Sequence, residues 1–246
     1  MADIVAGTWD TAILERSGLG DATLPKIAGT DFEICGYAHI GGLDMPVYPG
    51  YGDQQAAALG CLPGPGDAII NVATGAQVTV TAKNYQTGPY ETRPYFSGGF
   101  LKTIPHLPGG RSLDVLMQFV RRTAEEVAGI AIHPETAWRA IHAAHLEPCG
   151  LTVNSRFHST DGKHLAGGTI SGTGPDNFTI GSLFAAMFLD MAGIYWDKLN
   201  LVGDGADIDR LICSGGVSWR NPGLIQAGSV PKAERNELNH SFWRET

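Results

Sequence analysis

The carboxylate of Asp53 stands where the sequence would allow it to take part in catalysis. It follows Gly50, Tyr51 and Gly52, whose glycines let the backbone turn sharply, and it precedes residues 54–62, which are rich in strong helix formers. A carboxylate at the start of a helix can cap the helix by accepting hydrogen bonds, or it can point outwards and take a proton from a substrate. The position alone leaves both roles open.

A turn of small residues further along the chain is suited to binding phosphate. Residues 67–81 contain two β-rich runs joined by Ala73, Thr74 and Gly75, which predicts a hairpin. Such a turn offers backbone N–H groups and a hydroxyl without bulky side chains, and a concavity of this kind can receive phosphate oxygens. An ordinary hairpin turn has the same composition, so this turn alone does not establish a phosphate site.

A pair of glycines near the end of the sequence offers a third place for a ligand. Residues 209–214 predict a short strand that ends at Gly215 and Gly216, with Asn221 and Pro222 beyond it. Glycines at this point allow a flat ligand or a phosphate chain to come close to the backbone. A plain strand-to-helix turn explains the same glycines equally well.

The elements that must position these residues follow an α/β pattern. Helices are predicted over residues 10–19, 54–62, 111–127, 134–145 and 180–196, and Asp10 is predicted to cap the first of them. The last of these helices is apolar nearly all round, so we expect it to be buried. In addition to the hairpin, strands are predicted over residues 33–40, 46–48 and 90–104.

Charge and composition favour a cytoplasmic protein that acts on small molecules. The chain has 246 residues and a net charge of −8, with an isoelectric point of about 5.4. An acidic chain without a block of Lys and Arg is poorly suited to nucleic acid or to an anionic membrane. The first residues lack the features of a signal peptide, and no apolar stretch is long enough to span a membrane.

Several common motifs are absent from the sequence. Its four cysteines are scattered without a C-x-x-C pair. His142 and His145 lie three apart on a predicted helix with His133 nearby, a spacing that could ligate a metal, but no Glu-rich partner motif accompanies them and we expect no metal site. No G-x-x-x-x-G-K-[ST] loop occurs either. Any use of ATP would therefore proceed without a P-loop.

Taken in order, three segments resemble the FGGY family of carbohydrate kinases. They are Gly-Asp-Gln-Gln-Ala-Ala-Ala-Leu-Gly from residue 52, Ile-Asn-Val-Ala-Thr-Gly-Ala-Gln-Val from residue 70, and Cys-Ser-Gly-Gly-Val-Ser-Trp-Arg-Asn-Pro from residue 213. They are similar to that family's catalytic aspartate segment, phosphate-binding hairpin and adenosine-binding glycine pair. The resemblance covers roughly residues 8–226, and residues 90–96 and 106–111 look most like the sedoheptulokinase branch.

The resemblance implies an actin-like, ribonuclease H-like ATPase fold with a mixed sheet flanked by helices. Sugar and ATP would meet in the cleft between two lobes, with Mg²⁺ bridging the phosphates. Asp53 would accept the proton of the attacking sugar hydroxyl, and Asp53 and Gln54 would contact the sugar. The nucleotide would be bound by Thr74 and Gly75 at its phosphates, by Gly110 and Asp114, and by Gly215, Gly216 and Asn221 at its adenosine.

This chain departs from the family at both ends. Members of the family are about twice as long, and the Asp-x-Gly-Thr turn that opens their first lobe is missing here, so most of the first lobe is absent. Residues 1–53 are interpreted as the end of the sugar-side lobe, 54–226 as the nucleotide-side lobe and 227–246 as an atypical polar tail.

Three functions stay open at this stage. The first is an ATP-dependent kinase of a ketose such as sedoheptulose, with xylulose, ribulose or glycerol as other acceptors. The second is a non-catalytic remnant that folds or oligomerises, with a homodimer as one possible form. The third, a hydrolase using Asp53 with His106, rests on residue type alone.

Overall fold

A five-stranded mixed sheet forms the centre of the computed structural model, which describes residues 2–29, 33–143, 150–158, 167–203 and 208–229. The strands are β1 (Ala2–Asp3), β2 (Thr8–Trp9), β3 (Gly36–Ile40), β4 (Leu43–Val47), β5 (Asp67–Val72), β6 (Ala76–Ala82), β7 (Glu91–Pro94), β8 (Phe100–Leu107), β9 (Thr152–Asn154), β10 (Thr169–Ser171) and β11 (Arg210–Ser214). The helices are α1 (Thr11–Arg16), α2 (Asp53–Gly60), α3 (Gly110–Ala128), α4 (Pro134–His142), α5 (Ile180–Val202), α6 (Gly216–Arg220) and α7 (Pro222–Ser229), with a 3₁₀ turn at Phe96–Gly98.

The strand order of the central sheet is β11-β5-β6-β8-β7. β11 runs parallel to β5, whereas the other neighbours are antiparallel. Side chains of β5 alternate between the two faces, so that Ile70 joins the large core with α5 while Ile69 packs with Ala58 of α2 and Leu101 of β8. Helices therefore cover both faces, and the predicted mixed sheet flanked by helices is confirmed.

The longest helix, α5, lies in the large core. The side chain of Thr179 caps it by accepting a hydrogen bond from the Ser182 N–H at 3.1 Å. Phe184, Met187 and Met191 are fully buried, as the apolar sequence predicts. The helix continues beyond residue 196 to Val202, because Leu199 and Val202 keep the apolar spacing and are themselves buried.

Two smaller units precede the central sheet along the chain. Asp10 caps α1 by accepting from the Ile13 N–H at 3.0 Å, as predicted. β3 and β4 form a two-stranded antiparallel sheet that turns at Gly41 and Gly42, both of which have positive φ. This pair of glycines makes the tight hairpin possible, and β4 therefore begins at Leu43, earlier than the predicted residue 46.

An ion pair joins β11 to β5. The Arg210 guanidinium donates hydrogen bonds to both oxygens of Asp67, from Nε at 3.1 Å and from an Nη at 2.5 Å. The Gly64 N–H also donates to Asp67, at 2.6 Å. β11, which comes from far along the sequence, is thereby held in register at the edge of the sheet.

The last described helix packs against α5. α7 runs to Ser229, and the predicted polar tail from residue 227 therefore starts within it. Ala227 is fully buried, because it lies three residues after the buried Leu224 and shares its face of the helix. Residues 230–246, the rest of that tail, lie outside the described part of the chain, as do 144–145 at the end of the predicted helix over 134–145.

Among the described helices, none combines the length and apolar character that crossing a bilayer requires.

Candidate active site

The hairpin turn after β5 is hydrogen-bonded to the start of α3. The Gly110 N–H donates to the Ala73 carbonyl at 2.8 Å, and the Arg111 N–H donates to the Thr74 carbonyl at 3.0 Å. A Cβ at Gly109 would lie 2.5 Å from the Gly75 carbonyl carbon, so only glycine fits there. These bonds extend the helix to Gly110, one residue earlier than predicted, and leave Thr74 and Gly75 exposed.

The glycine pair after β11 lies against the end of β5. Gly215 has φ of +92°, and a Cβ there would collide with the Val72 carbonyl oxygen. Glycine is therefore required both for the backbone conformation and for the close approach. Gly215 is the residue before α6, which begins at Gly216, so the start of this helix is brought beside the hairpin turn.

These segments enclose a pocket of about 390 Å³. Its wall contains residues from the hairpin turn, the first turns of α3, the α6 region and α4: Ala73, Thr74, Gly110, Leu113, Asp114, Trp138, Gly216, Val217, Arg220 and Asn221. A Cβ at Gly110 would come within 3.0 Å of the Ala73 oxygen and 3.2 Å of Val217, so a side chain there would crowd the pocket. Most of the residues predicted to bind the nucleotide thus meet in one place.

A second cavity of about 320 Å³ lies on the other side of the hairpin turn. Thr74 lines both cavities, whereas Gly75 lines the second cavity and not the first. His106, Arg111 and His158 contribute basic groups to its wall, and the His158 ring nitrogen Nε2 lies 3.3 Å from the Arg111 carbonyl oxygen. The exposed turn therefore stands between a mixed pocket and a more basic one.

Asp53 is the first residue of α2, and the cap position belongs to Gly52. Its carboxylate accepts a hydrogen bond from the next backbone N–H, that of Gln54, at 2.7 Å and is otherwise exposed. The capping bond to the second or third helical N–H, which the capping role requires, is not made. The carboxylate is therefore accessible to a ligand.

Gln54 is buried, with 5% of its surface exposed. Its amide nitrogen donates to Thr79 at 3.1 Å and to Thr103 at 2.7 Å, and its amide oxygen accepts from Arg93. Both N–H bonds of the amide are thus satisfied by the protein, and the side chain fixes α2 to the middle of β6 and β8. Thr79 lies four residues after Gly75, so this anchor is roughly 13 Å along the strand from the turn.

No family model and no curated protein sequence matches the chain. The solved structures give clear matches, among them a xyloylose kinase from Brucella ovis (TM-score 0.75, 19% identity, covering 92% of this chain and 47% of that one). A Plasmodium falciparum glycerol kinase with ADP has a TM-score of 0.75 at 18% identity and covers 93% and 47%. A gluconate kinase from Lactobacillus acidophilus has a TM-score of 0.68 at 16% identity and covers 90% and 46%.

The chain folds as the actin-like ATPase lobe of FGGY-type carbohydrate kinases. It spans about half the length of the kinases that it matches. That coverage agrees with the expected fold class. It also agrees with the expectation that much of a two-lobed fold is not present in this chain. At these identities the likeness concerns the fold, and the sedoheptulokinase branch remains a prediction.

One buried hydroxyl supports the site from the core side. Tyr195 of α5 donates to the Pro108 carbonyl at 2.6 Å, directly before Gly109 and Gly110. Burial raises the pKa of Tyr195 above its usual range, and the charge of Asp190 raises it further, so the hydroxyl keeps its proton. The bond therefore holds the start of α3 from the core side.

The fold also places in the pocket residues that the sequence did not indicate. Trp138 and Arg220 line it, and Asn221, predicted to bind adenosine, is only 2% exposed. The Asn221 amide nitrogen donates to Val217 at 2.8 Å, and its oxygen lies 3.4 Å from His142 Nε2. Trp138 carries no local motif, and its place in the wall results from α4 packing against α5.

Proposed function

We propose that this chain is the nucleotide-side lobe of an ATP-dependent carbohydrate kinase, which transfers the γ-phosphate of ATP to a sugar hydroxyl. The observation that carries the proposal is the single pocket in which Thr74, Gly110, Asp114, Gly216 and Asn221 meet. These residues come from widely separated parts of the sequence, and each was expected near the nucleotide. In this proposal residues 54–226 form the nucleotide-side lobe, and 1–53 are the end of the sugar-side lobe.

The pocket suits a nucleotide with its phosphates at the hairpin turn. Thr74 and Gly75 would contact the phosphates, Gly110 and Asp114 would line their path, and the segment from Gly215 would lie along the adenosine. The close glycine approaches fit this assignment, because they bring backbone rather than side chains to the ligand. Mg²⁺ is usually bound through one or two carboxylates together with phosphate oxygens and water. The exposed Asp114 would be suited to hold the ion, which would supply neutralisation of the phosphate charge.

Asp53 would accept the proton of the sugar hydroxyl during transfer. Its carboxylate is exposed at the start of α2, and the burial of Gln54 beside it fixes the helix on the sheet. Phosphoryl transfer chiefly requires positioning, charge neutralisation and one correctly placed base. The acceptor that we propose is a ketose such as sedoheptulose, and the kinases with this fold, named for xylulose, glycerol and gluconate, define the panel to be tested.

Calorimetry with Mg-ATP and Mg-ADP tests the nucleotide assignment directly. The unaltered chain should bind both, and Gly110→Val should weaken binding at least about tenfold, since its side chain would crowd Ala73 and Val217. Gly60→Ala is the matched control, because a Cβ at that position meets no atom within 4 Å. The absence of binding heat for the unaltered chain would refute the nucleotide role.

The alternative is a non-catalytic remnant that folds or oligomerises, and the coverage of only 47% of the Brucella ovis kinase favours keeping it. A coupled assay for ADP release, run with a panel of ketoses and polyols, separates the two functions. Sugar-dependent ADP formation that Asp53→Asn reduces by orders of magnitude, with ATP binding unchanged, supports the kinase. Because the proposed lobe needs a sugar-side lobe for turnover, the assay is also run on the chain fused to a complete sugar-side lobe, and ATP binding without turnover for any acceptor in that fusion supports the remnant.

A further inference from the structure

The pocket described above has one wall that the proposed function does not explain. This wall is formed by Trp138 of α4 and Arg220 of α6, and it faces the same space as Thr74. Both residues also line an adjoining cavity of about 620 Å³ towards the outside, with Glu135, Arg139, His142, Trp219 and Pro222. The pocket therefore extends from the phosphate turn to an aromatic and cationic end.

The indole of Trp138 is held in a fixed orientation. It stacks on His142 with ring centroids 5.8 Å apart and an interplanar angle of 29°, and it meets the edge of Phe184 at 5.8 Å and 71°. Phe184 is completely buried, so its ring cannot easily move away from Trp138. A preoriented ring loses little conformational entropy when a ligand stacks on it.

Asn221 contributes to this wall by positioning it. Its amide bridges from Val217 in α6 to His142 in α4, so it connects the helix that carries Arg220 with the ring on which Trp138 stacks. Because the amide is buried and engaged in these bonds, it is poorly placed to read the hydrogen-bonding edge of a base. Recognition at this end of the pocket therefore depends on stacking.

We propose that the nucleobase of the bound nucleotide stacks on Trp138 beside the Arg220 guanidinium, with its phosphates directed towards Thr74 and Gly75. This inference rests on the proposed function and identifies the part of the site that binds the base. Every purine presents a π-face, and a stacking contact is therefore tolerant of base identity. The lobe should bind ADP and GDP with affinities within about fivefold of each other.

Calorimetry on four chains with Mg-ADP, Mg-GDP and Mg-tripolyphosphate tests the proposal. The chains are the unaltered protein, Trp138→Leu, Trp138→Phe and Trp219→Leu. Trp138→Leu should weaken binding of both nucleotides about tenfold and leave tripolyphosphate binding unchanged, since only the stacked base is lost. Trp138→Phe should retain most of the affinity. Trp219 is 86% exposed and lines only the adjoining outer cavity, not the pocket that contains Thr74, so Trp219→Leu is the matched control.

Fluorescence provides a readout that a merely structural role of Trp138 would not change. ADP should quench tryptophan emission of the unaltered chain and of Trp219→Leu, and the quenching should disappear in Trp138→Leu. Normal nucleotide affinity in Trp138→Leu, or an equal loss of tripolyphosphate binding, would overturn the base-stacking proposal while leaving nucleotide binding intact. If the unaltered chain bound no nucleotide, the proposed function itself would fail.

Discussion

At the start of α2, two neighbouring polar side chains have opposite surroundings. Asp53 is exposed, whereas Gln54 is buried with its amide bonded to Thr79, Thr103 and Arg93. Successive helical residues point about 100° apart, so one of them can face the sheet while the other faces solvent. The sequence indicated Gln54 as a sugar contact, but its partners lie far along the chain and could not be inferred from the local pattern. Its contribution in the described structure is to anchor the residue proposed as the base.

Replacing Gln54 by alanine should destabilise the fold. The change removes the hydrogen bonds to two buried hydroxyls and to Arg93, although the two hydroxyls still bond each other and Arg93 still donates to Glu91. The loss of such hydrogen bonds costs about 1–3 kcal/mol in total. Urea unfolding of Gln54→Ala should therefore show a lower free energy of unfolding by that amount. Gln55→Ala, one residue further along and less buried, is the control and should stay within about 0.5 kcal/mol of the unaltered chain. Equal midpoints for the two variants would contradict the anchoring role.

Among the elements, those with strong local signals were predicted well, and those defined by distant contacts were not. The cap at Asp10, the hairpin around Thr74 and the apolar face of α5 follow from residue types within a few positions. The pocket wall at Trp138 depends on packing between helices far apart in sequence, and no local sequence pattern indicates such packing. Two of the ordered motifs nevertheless identified other parts of the wall, and in the last of them Gly215 is required by the close approach of the backbone to the Val72 carbonyl.

The connection between α5 and the start of α3 can be tested through Tyr195. Tyr195→Phe removes the hydroxyl that donates to the Pro108 carbonyl and leaves that buried acceptor unpaired, at a cost of about 1–3 kcal/mol. The variant should unfold at lower urea concentration, and its affinity for Mg-ADP should fall because Gly109 and Gly110 lose support. Tyr48→Phe, at a residue that is 48% exposed, is the control for both measurements. Unchanged stability would show that the bond contributes nothing.

The junction of β5 and β11 should make stability depend on pH. The hydrogen bonds from Arg210, and then from the Gly64 N–H, hold the pKa of Asp67 below its usual range. A carboxyl with a lowered pKa in the folded state stabilises the fold above its unfolded pKa of about 3.9, and this contribution is lost as pH falls through the folded value. Urea midpoints measured from pH 7 to pH 2 should therefore fall more steeply below about pH 4 for the unaltered chain than for Asp67→Asn. Parallel profiles would contradict the role of the pair.

For the molecule as a whole, the β3–β4 hairpin presents an apolar face that the described residues leave exposed. Residues directly opposite each other in the register share a face, so Ala38, Ile40, Leu43, Met45 and Val47 lie on one side. Ile40 and Leu43 are 60% and 68% exposed. The other side carries the His39 and Asp44 pair, with 2.8 Å between nitrogen and oxygen. A two-stranded sheet is only marginally stable alone, so packing of another surface against this apolar face would stabilise it.

We expect this apolar face to mediate self-association of the isolated chain, because a second copy offers the same complementary surface. Sedimentation velocity should show a concentration-dependent dimer, and Ile40→Lys with Met45→Lys should shift the protein to monomer by placing charges within the contact. Tyr37 lies on the opposite side of the same hairpin and is 70% exposed, so Tyr37→Lys adds a lysine without entering the contact and should leave the dimer unchanged. If all three chains sedimented as monomers, the face would have to be stable in water or covered by another part of a longer protein. If Tyr37→Lys dissociated the dimer as well, the contact would lie elsewhere on the hairpin.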